Sequence, residues 1–165
     1  MSTTRPDVSS QKPAGALSGA YRRFQHASAA LQSPLLLLVR LYWGWQFAQS
    51  GWGRLHHLDA ATQFFASLGL PAPEAQVIVI SSLEFVGGIL LIVGLGTRLT
   101  GLLLAGDMIG AYWLADRDAL HSILSDPGKF YGADPYTFLF ASVLVLAFGA
   151  GRFSVDYWLW KRRNP

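Results

Sequence analysis

Three ionisable side chains stand inside apolar runs of this sequence. Arg40 lies in PLLLLVRLYWGW, Glu84 in SSLEFVGGILLIVGLGTRLTG and Asp107 in TGLLLAGDMIGAYWLA. Runs of this kind read as helices that cross a bilayer, where a charge at mid-helix costs roughly 2.5–3.5 kcal/mol on insertion scales. Three unrelated instances are improbable, so the economical expectation is that the three side chains face one another. Such a cluster has two uses. It can be a buried ion pair that only specifies how helices pack. It can also bind a polar ligand group or relay protons, which would suit proton exchange with a quinone. Glu84, Asp107 and Arg40 are therefore the candidate catalytic residues. Among the aromatics, Trp43, Trp45, Trp52 and Trp113 are of the type that packs against a quinone ring, although interface belts also use them. Trp43, Phe85 and Trp113 are taken as the candidate cofactor contacts.

Spacing places the charges on defined helix faces. Arg40, Gly44, Phe47, Gly51 and Arg54 fall on one stripe, and Ser81, Glu84, Gly88 and Leu91 on another. Gly106 and Gly110 flank Asp107. Small residues beside the charges let helix backbones approach closely. Depth is less tidy, because at 1.5 Å per residue Arg40 sits ~9 Å from one membrane edge while Glu84 and Asp107 lie nearer the middle.

The elements that must hold these residues follow from composition. The chain has 165 residues, 52% hydrophobic and 14% charged, with six Trp and ten Phe. Soluble proteins carry ~25% charged residues, so an integral membrane protein is expected. There is no cysteine, which excludes disulfides, thiol redox chemistry and thiolate metal sites. Four apolar stretches, about 34–53, 75–96, 98–115 and 136–151, predict an all-α, four-helix transmembrane bundle. RFSVDYWLW extends the last one into the headgroup zone. The short GLGTR link makes the second and third helices antiparallel neighbours.

Residues 1–32 read as a disordered basic tail, 33–160 as the membrane domain and 161–165 as a second basic tail. No cleavable signal pattern precedes the first span, and Arg22-Arg23 lacks the surroundings of a twin-arginine signal. Nine Lys/Arg fall on the side of the two termini and the GLGTR turn, against Arg54, Arg117 and Lys129 on the other. The positive-inside rule then places both termini in the cytoplasm, as in a multi-pass protein of a bacterial inner membrane. The first outer loop carries DAATQFFASLGLP, whose Phe64, Phe65, Leu68 and Leu70 suit the membrane interface.

Other chemistry is weakly supported. His56 and His57, followed by Asp59, point ~100° apart on a helix and chelate poorly, so no metal is expected. His121 with Asp116, Asp118 and Asp126 reads as a solvated loop. Basic charge at the chain ends sets orientation and does not imply nucleic-acid binding. No phosphate loop, nucleophile elbow or haem-attachment motif is present, so self-contained electron transfer is not expected.

Three segments together resemble the DoxX family. RLYWGWQFAQSGWGRL is similar to its opening through Arg40, Gly44, Phe47 and Gly51, with Arg54 where the family has lysine. LEFVGGILLIVGLGTRLTGLLL resembles its Glu-x-x-Gly-Gly segment and Gly-x-x-Thr-Arg turn through Glu84, Gly87, Gly88, Gly94, Thr97 and Arg98. GAGRFSVDYWL resembles its closing segment through Gly149, Gly151, Ser154 and Asp156. The resemblance spans about residues 34–160 and implies a four-helix membrane bundle. It also implies a DoxD-like membrane subunit of a redox complex, contacting quinone or anchoring a partner subunit that carries the redox chemistry, linked to sulfur-compound oxidation or detoxification. Lipid is an expected contact, and a homo-oligomer is compatible with it. The alternative from another class is a non-enzymatic membrane protein, a small-solute carrier or assembly factor with a structural charge cluster. The charge asymmetry has a direct test. A reporter fused after Pro165 should read as cytoplasmic and one inserted near Gly128 as external, and the opposite pair of signals would overturn the assignment.

Overall fold

A computed structural model describes residues 14–164, and among them the protein is all-α, with eight helices and no strand. In chain order they are α1 Ala14–His56, α2 Leu58–Ser67, α3 Pro73–Val93, α4 Thr97–Leu114, α5 Arg117–His121, α6 Pro127–Tyr131, α7 Pro135–Phe148 and α8 Val155–Arg163. The chain divides into two units after Gln32. Residues 1–13 of the expected disordered tail lie outside the described residues. From Ala14 to Gln32 the chain forms the first part of α1, exposed from Ala20 to Gln32. Its Ala, Leu, Gln and Arg residues lose little freedom in a helix, which outweighs its scattered Ser and Gly. Pro34, which has no N–H to donate, removes one rung of α1 just beyond the unit boundary.

The four expected spans correspond to the second part of α1 and to α3, α4 and α7. Among the described residues, only α3 is both long and apolar enough to cross a membrane by length and composition, and α7 is a shorter apolar helix. The polar side chains Arg40, Gln46, Gln49 and Arg54 dilute α1, and Arg98 and Asp107 dilute α4. Only 33% of the apolar window of α3 is buried, so most of that surface faces outward. Leu38, Val79, Val86, Leu99, Leu102, Ile109 and Val143 are likewise exposed. A single core joins the four helices: Val39 and Phe47 of α1, Leu91 of α3, Leu104 and Met108 of α4, and Ala141 and Val145 of α7. Phe47 meets Phe138 of α7 edge to face at 4.8 Å.

Glycine sets the spacing between α1 and α3. A Cβ on Gly44 would lie 2.8 Å from the Gly88 carbonyl oxygen, one on Gly88 2.6 Å from the Ala48 amide nitrogen, and one on Gly51 2.5 Å from the Phe85 amide nitrogen. Residue numbers rise along α1 as their partners fall along α3, so the two helices are antiparallel. Gly101 does the same between α4 and α7, where its Cβ would meet the Ser142 carbonyl at 2.9 Å. Gly106 and Gly110 do not, contrary to expectation, because nothing approaches within 4 Å of a Cβ built on either. They lie off the face through which α4 packs on α7.

Two substitutions separate these cases. Gly88→Ala forces backbone against backbone and should lower stability in detergent by about 1–3 kcal/mol. Gly106→Ala should be neutral or slightly stabilising, because it adds helix propensity without a clash. Equal thermal denaturation midpoints for the two variants would contradict the packing described.

Candidate functional site

The two arginines on the α1 stripe are separated by 14 residues of helix, about 21 Å along its axis. Arg40 serves the C-terminal end of α3 and Arg54 its middle. Arg40 is 1% exposed and has no carboxylate against it among the described residues. Its Nε donates to the Leu91 carbonyl at 2.9 Å and its Nη2 to those of Ile92 at 3.2 Å and Phe153 at 3.0 Å. Its Nη1 donates to the Ala150 carbonyl. The expected meeting of Arg40 with Glu84 or Asp107 is therefore corrected. Glu84 lies about two helical turns from the carbonyls that Arg40 reaches, and the last turn of α3 has unpaired carbonyls that attract a cation.

The neighbouring turn completes this structural knot. Gly94 adopts φ +76°, and a Cβ there would meet the Arg40 guanidinium carbon at 2.8 Å and the Ser154 Cβ at 2.7 Å. Glycine is required twice over at this position. Asp156 accepts from the backbone N–H groups of Gly96 at 2.7 Å and Thr97 at 2.8 Å, and from the Thr97 hydroxyl at 2.7 Å. Its own N–H donates to the Gly94 carbonyl at 2.9 Å. Asp156 thus caps α4 from a distant part of the chain, and Ser154 caps α8 by accepting from the Tyr157 N–H at 3.1 Å. Burial pushes the Asp156 carboxyl up. The hydrogen bonds from Thr97 and Gly96, together with the Arg40 charge, outweigh burial and hold it below the ordinary carboxylate range.

Against the middle of α3, Arg54 takes the place expected of Arg40. Its Nη2 donates to Glu84 Oε2 and its Nε to Ser81 Oγ at 3.3 Å. The Glu84 side chain is 4% exposed and that of Arg54 33%, so the pair closes the inner end of a site that remains open on the arginine side. Asp107 Oδ2 is buried and has no hydrogen-bond partner. Glu84, Asp107 and Arg54 all line one cavity of about 290 Å³ whose other walls are chiefly apolar, including Phe64, Phe65, Leu68, Leu70 and Ile80. Glu84 and Arg54 also line a second cavity of about 570 Å³ that runs to the α4–α7 loops, bordered by Ser50, Asp116, Tyr131, Asp134 and Thr137.

The candidate catalytic residues are thus split: Glu84 and Asp107 share a site, and Arg40 belongs to the knot. None of the three candidate cofactor aromatics lines either cavity. Trp43 packs on the core, Phe85 sits beside Trp52 with ring centroids 5.2 Å apart, and Trp113 is exposed. Phe64 borders both cavities, and Phe65 the smaller one. The segment expected at the membrane interface therefore covers the site, because α2 packs on α3. Among the described residues, no group of three or more His, Cys, Asp or Glu is placed to hold a metal ion.

Glycine-spaced helices, a guanidinium knot at the end of α3 and a buried glutamate held by a part-exposed arginine at its middle define the class. Residues 35–117, half of the chain, match the DoxX family model, and the chain belongs to the DoxX family. It is 40% identical over 75 residues to "Putative oxidoreductase CatD" of Bacillus subtilis, a match covering 46% of this chain and 54% of that protein. It is 28% identical over 160 residues to "Uncharacterized membrane protein Rv3486" of Mycobacterium tuberculosis, covering 90% of this chain and 93% of that one. No solved structure matches it.

Two measurements check the arrangement. In a double-mutant cycle, Arg54→Leu and Glu84→Gln should couple by about 0.5–3 kcal/mol, whereas Arg40→Leu and Glu84→Gln should add within about 0.5 kcal/mol. Asp156 has a folded-state pKa below its unfolded value of about 4, so its contribution is complete above that value and disappears as pH falls through the lower, folded one. Asp156→Asn should accordingly lower the melting temperature at neutral pH and flatten its fall in acid; an unchanged acid limb would remove Asp156 from the knot.

Proposed function

We propose that this protein is an integral membrane subunit of a redox complex, with a quinone-contacting site built on Glu84, Asp107 and Arg54. In this reading the second part of α1 and helices α3, α4 and α7 span the inner membrane of a bacterial-type cell, and both termini are cytoplasmic. Its support is the outward-facing apolar surface on those helices and the concentration of Lys161, Arg162 and Arg163 in the last turn of α8. The oxidoreductase half of the reading draws on the name of the Bacillus relative. In this reading a partner subunit carries the electron-donating chemistry, and a homo-oligomer is compatible with the same role.

One observation carries the proposal. Buried Glu84, Asp107 and their arginine Arg54 sit where a chiefly apolar cavity meets one that runs to polar loops. A quinone needs both environments, an apolar wall for its ring and a titratable group with a route for protons. Glu84 would exchange the proton and Arg54 would hold the ring oxygen. Phe64 and Phe65 replace Trp43, Phe85 and Trp113 as the aromatics beside the ring.

The second reading, a small-solute carrier, is favoured by the loop-side cavity, since a polar recess reaching a buried charge pair is what a carrier requires. Glu84→Gln separates the two. It keeps shape and hydrogen bonding but removes the titratable proton, so quinone-dependent turnover of the assembled complex should fall by ~100-fold while the protein stays folded and inserted. Normal turnover in a well-folded variant would leave Glu84 structural. Solute uptake into proteoliposomes that depends on Glu84 would favour the carrier.

A further inference from the structure

Asp107 Oδ2 is one of two buried side-chain oxygens left without a partner among the described residues, the other being Ser142 Oγ. Leaving such a group unpaired costs about 1–3 kcal/mol, more when it is charged. Arg54, which lines the same cavity, gives its hydrogen bonds to Ser81 and Glu84 and none to Asp107 Oδ2. The cavity beside Asp107 is walled by Phe64, Phe65, Leu68, Leu70, Ile80 and Leu114. At about 290 Å³ it exceeds the ~150 Å³ that holds a benzene ring. The unmet need is therefore a hydrogen-bond donor carried on an apolar body of roughly one substituted ring.

We infer that this cavity binds an aromatic alcohol, with the ring against Phe64 and Phe65 and the hydroxyl donating to Asp107 Oδ2. An ether or carbonyl at the same position would set a lone pair against a lone pair and leave Asp107 unsatisfied. An ammonium would donate equally well, but it would share the cavity with Arg54 and bring a charge into apolar walls, whereas a neutral hydroxyl brings the least desolvation cost. Applied to a redox ring, the same selection favours the hydroxyl-bearing, reduced state at Asp107. The inference rests on the reading of this cluster as a ligand site, and it is tested by binding alone, so it fails or stands separately from turnover.

The test uses full-length protein in nanodiscs, with 4-ethylphenol and its methyl ether, 4-ethylanisole, as probes. Both are titrated by ligand-observed NMR and corrected for partitioning into empty nanodiscs. The phenol should bind at least ten-fold more tightly, the ratio expected for one hydrogen bond to a charged acceptor. Asp107→Leu should bring the two probes to equal affinity. If that variant folds poorly, Asp107→Asn, which keeps volume and one acceptor oxygen, should retain a reduced preference for the phenol. Equal affinities in the wild type, a preference untouched by Asp107→Leu or Asp107→Asn, or no saturable binding of either probe would each overturn the assignment.

Discussion

A guanidinium buried to 1% exposure must find acceptors, and Arg40 finds them in backbone carbonyls on both sides of the chain. It joins α1, the last turn of α3 and the link between α7 and α8 at one point. Breaking a buried charge from its partners typically costs 3–5 kcal/mol, as much as a substantial part of a domain's net stability. The close approach of α1 and α3 depends on the same register, because Gly44, Gly51 and Gly88 meet the opposite backbone only when Arg40 reaches Leu91 and Ile92. That register then carries Arg54 to Glu84 at the middle of α3. One structural arginine thus positions the other arginine for a different task.

The all-α class of the fold was legible in the sequence, because apolar runs at helical length are local signals. The stripes were legible too: Arg54 stood on one with Arg40, Ser81 on another with Glu84, and their glycines marked faces of close backbone approach. The pairing was not. Arg40, Glu84 and Asp107 invite one another when each is judged by the cost of a lone charge. A run of carbonyls at a helix end is an equally good partner for a cation, and it leaves no mark in the amino-acid types. Arg54 had been counted among the outer-loop charges, yet it falls within α1, two residues before its end at His56.

The aromatic residues show a second limit. Trp43, Phe85 and Trp113 are near the charges in sequence, but neighbours along a helix point ~100° apart, so Phe85 faces Trp52 while Glu84 faces the cavity. The rings that border the smaller cavity, Phe64 and Phe65, come from α2, twenty and nineteen residues before Glu84 in the chain. Its amphipathic pattern was visible. What covers a groove instead of lying in an interface depends on the space left by α3 and α4, and that is a tertiary property.

Arginine at position 54, where the resembled family pattern has lysine, bears on what the site can do. An ammonium is a compact point charge, and holding Glu84 would leave Ser81 to find another partner. The planar guanidinium reaches both acceptors through different nitrogens, Nε to Ser81 and Nη2 to Glu84, and so fixes the carboxylate against α3. Its 33% exposed side chain still borders both cavities. A ligand can therefore meet a fixed cation without first breaking the pair that makes Glu84 tolerable. Asp107, across the smaller cavity, has no such partner, and that asymmetry between two carboxyls around one arginine gives the cavity a direction: a donor is wanted at one end, while the cation stands at the other.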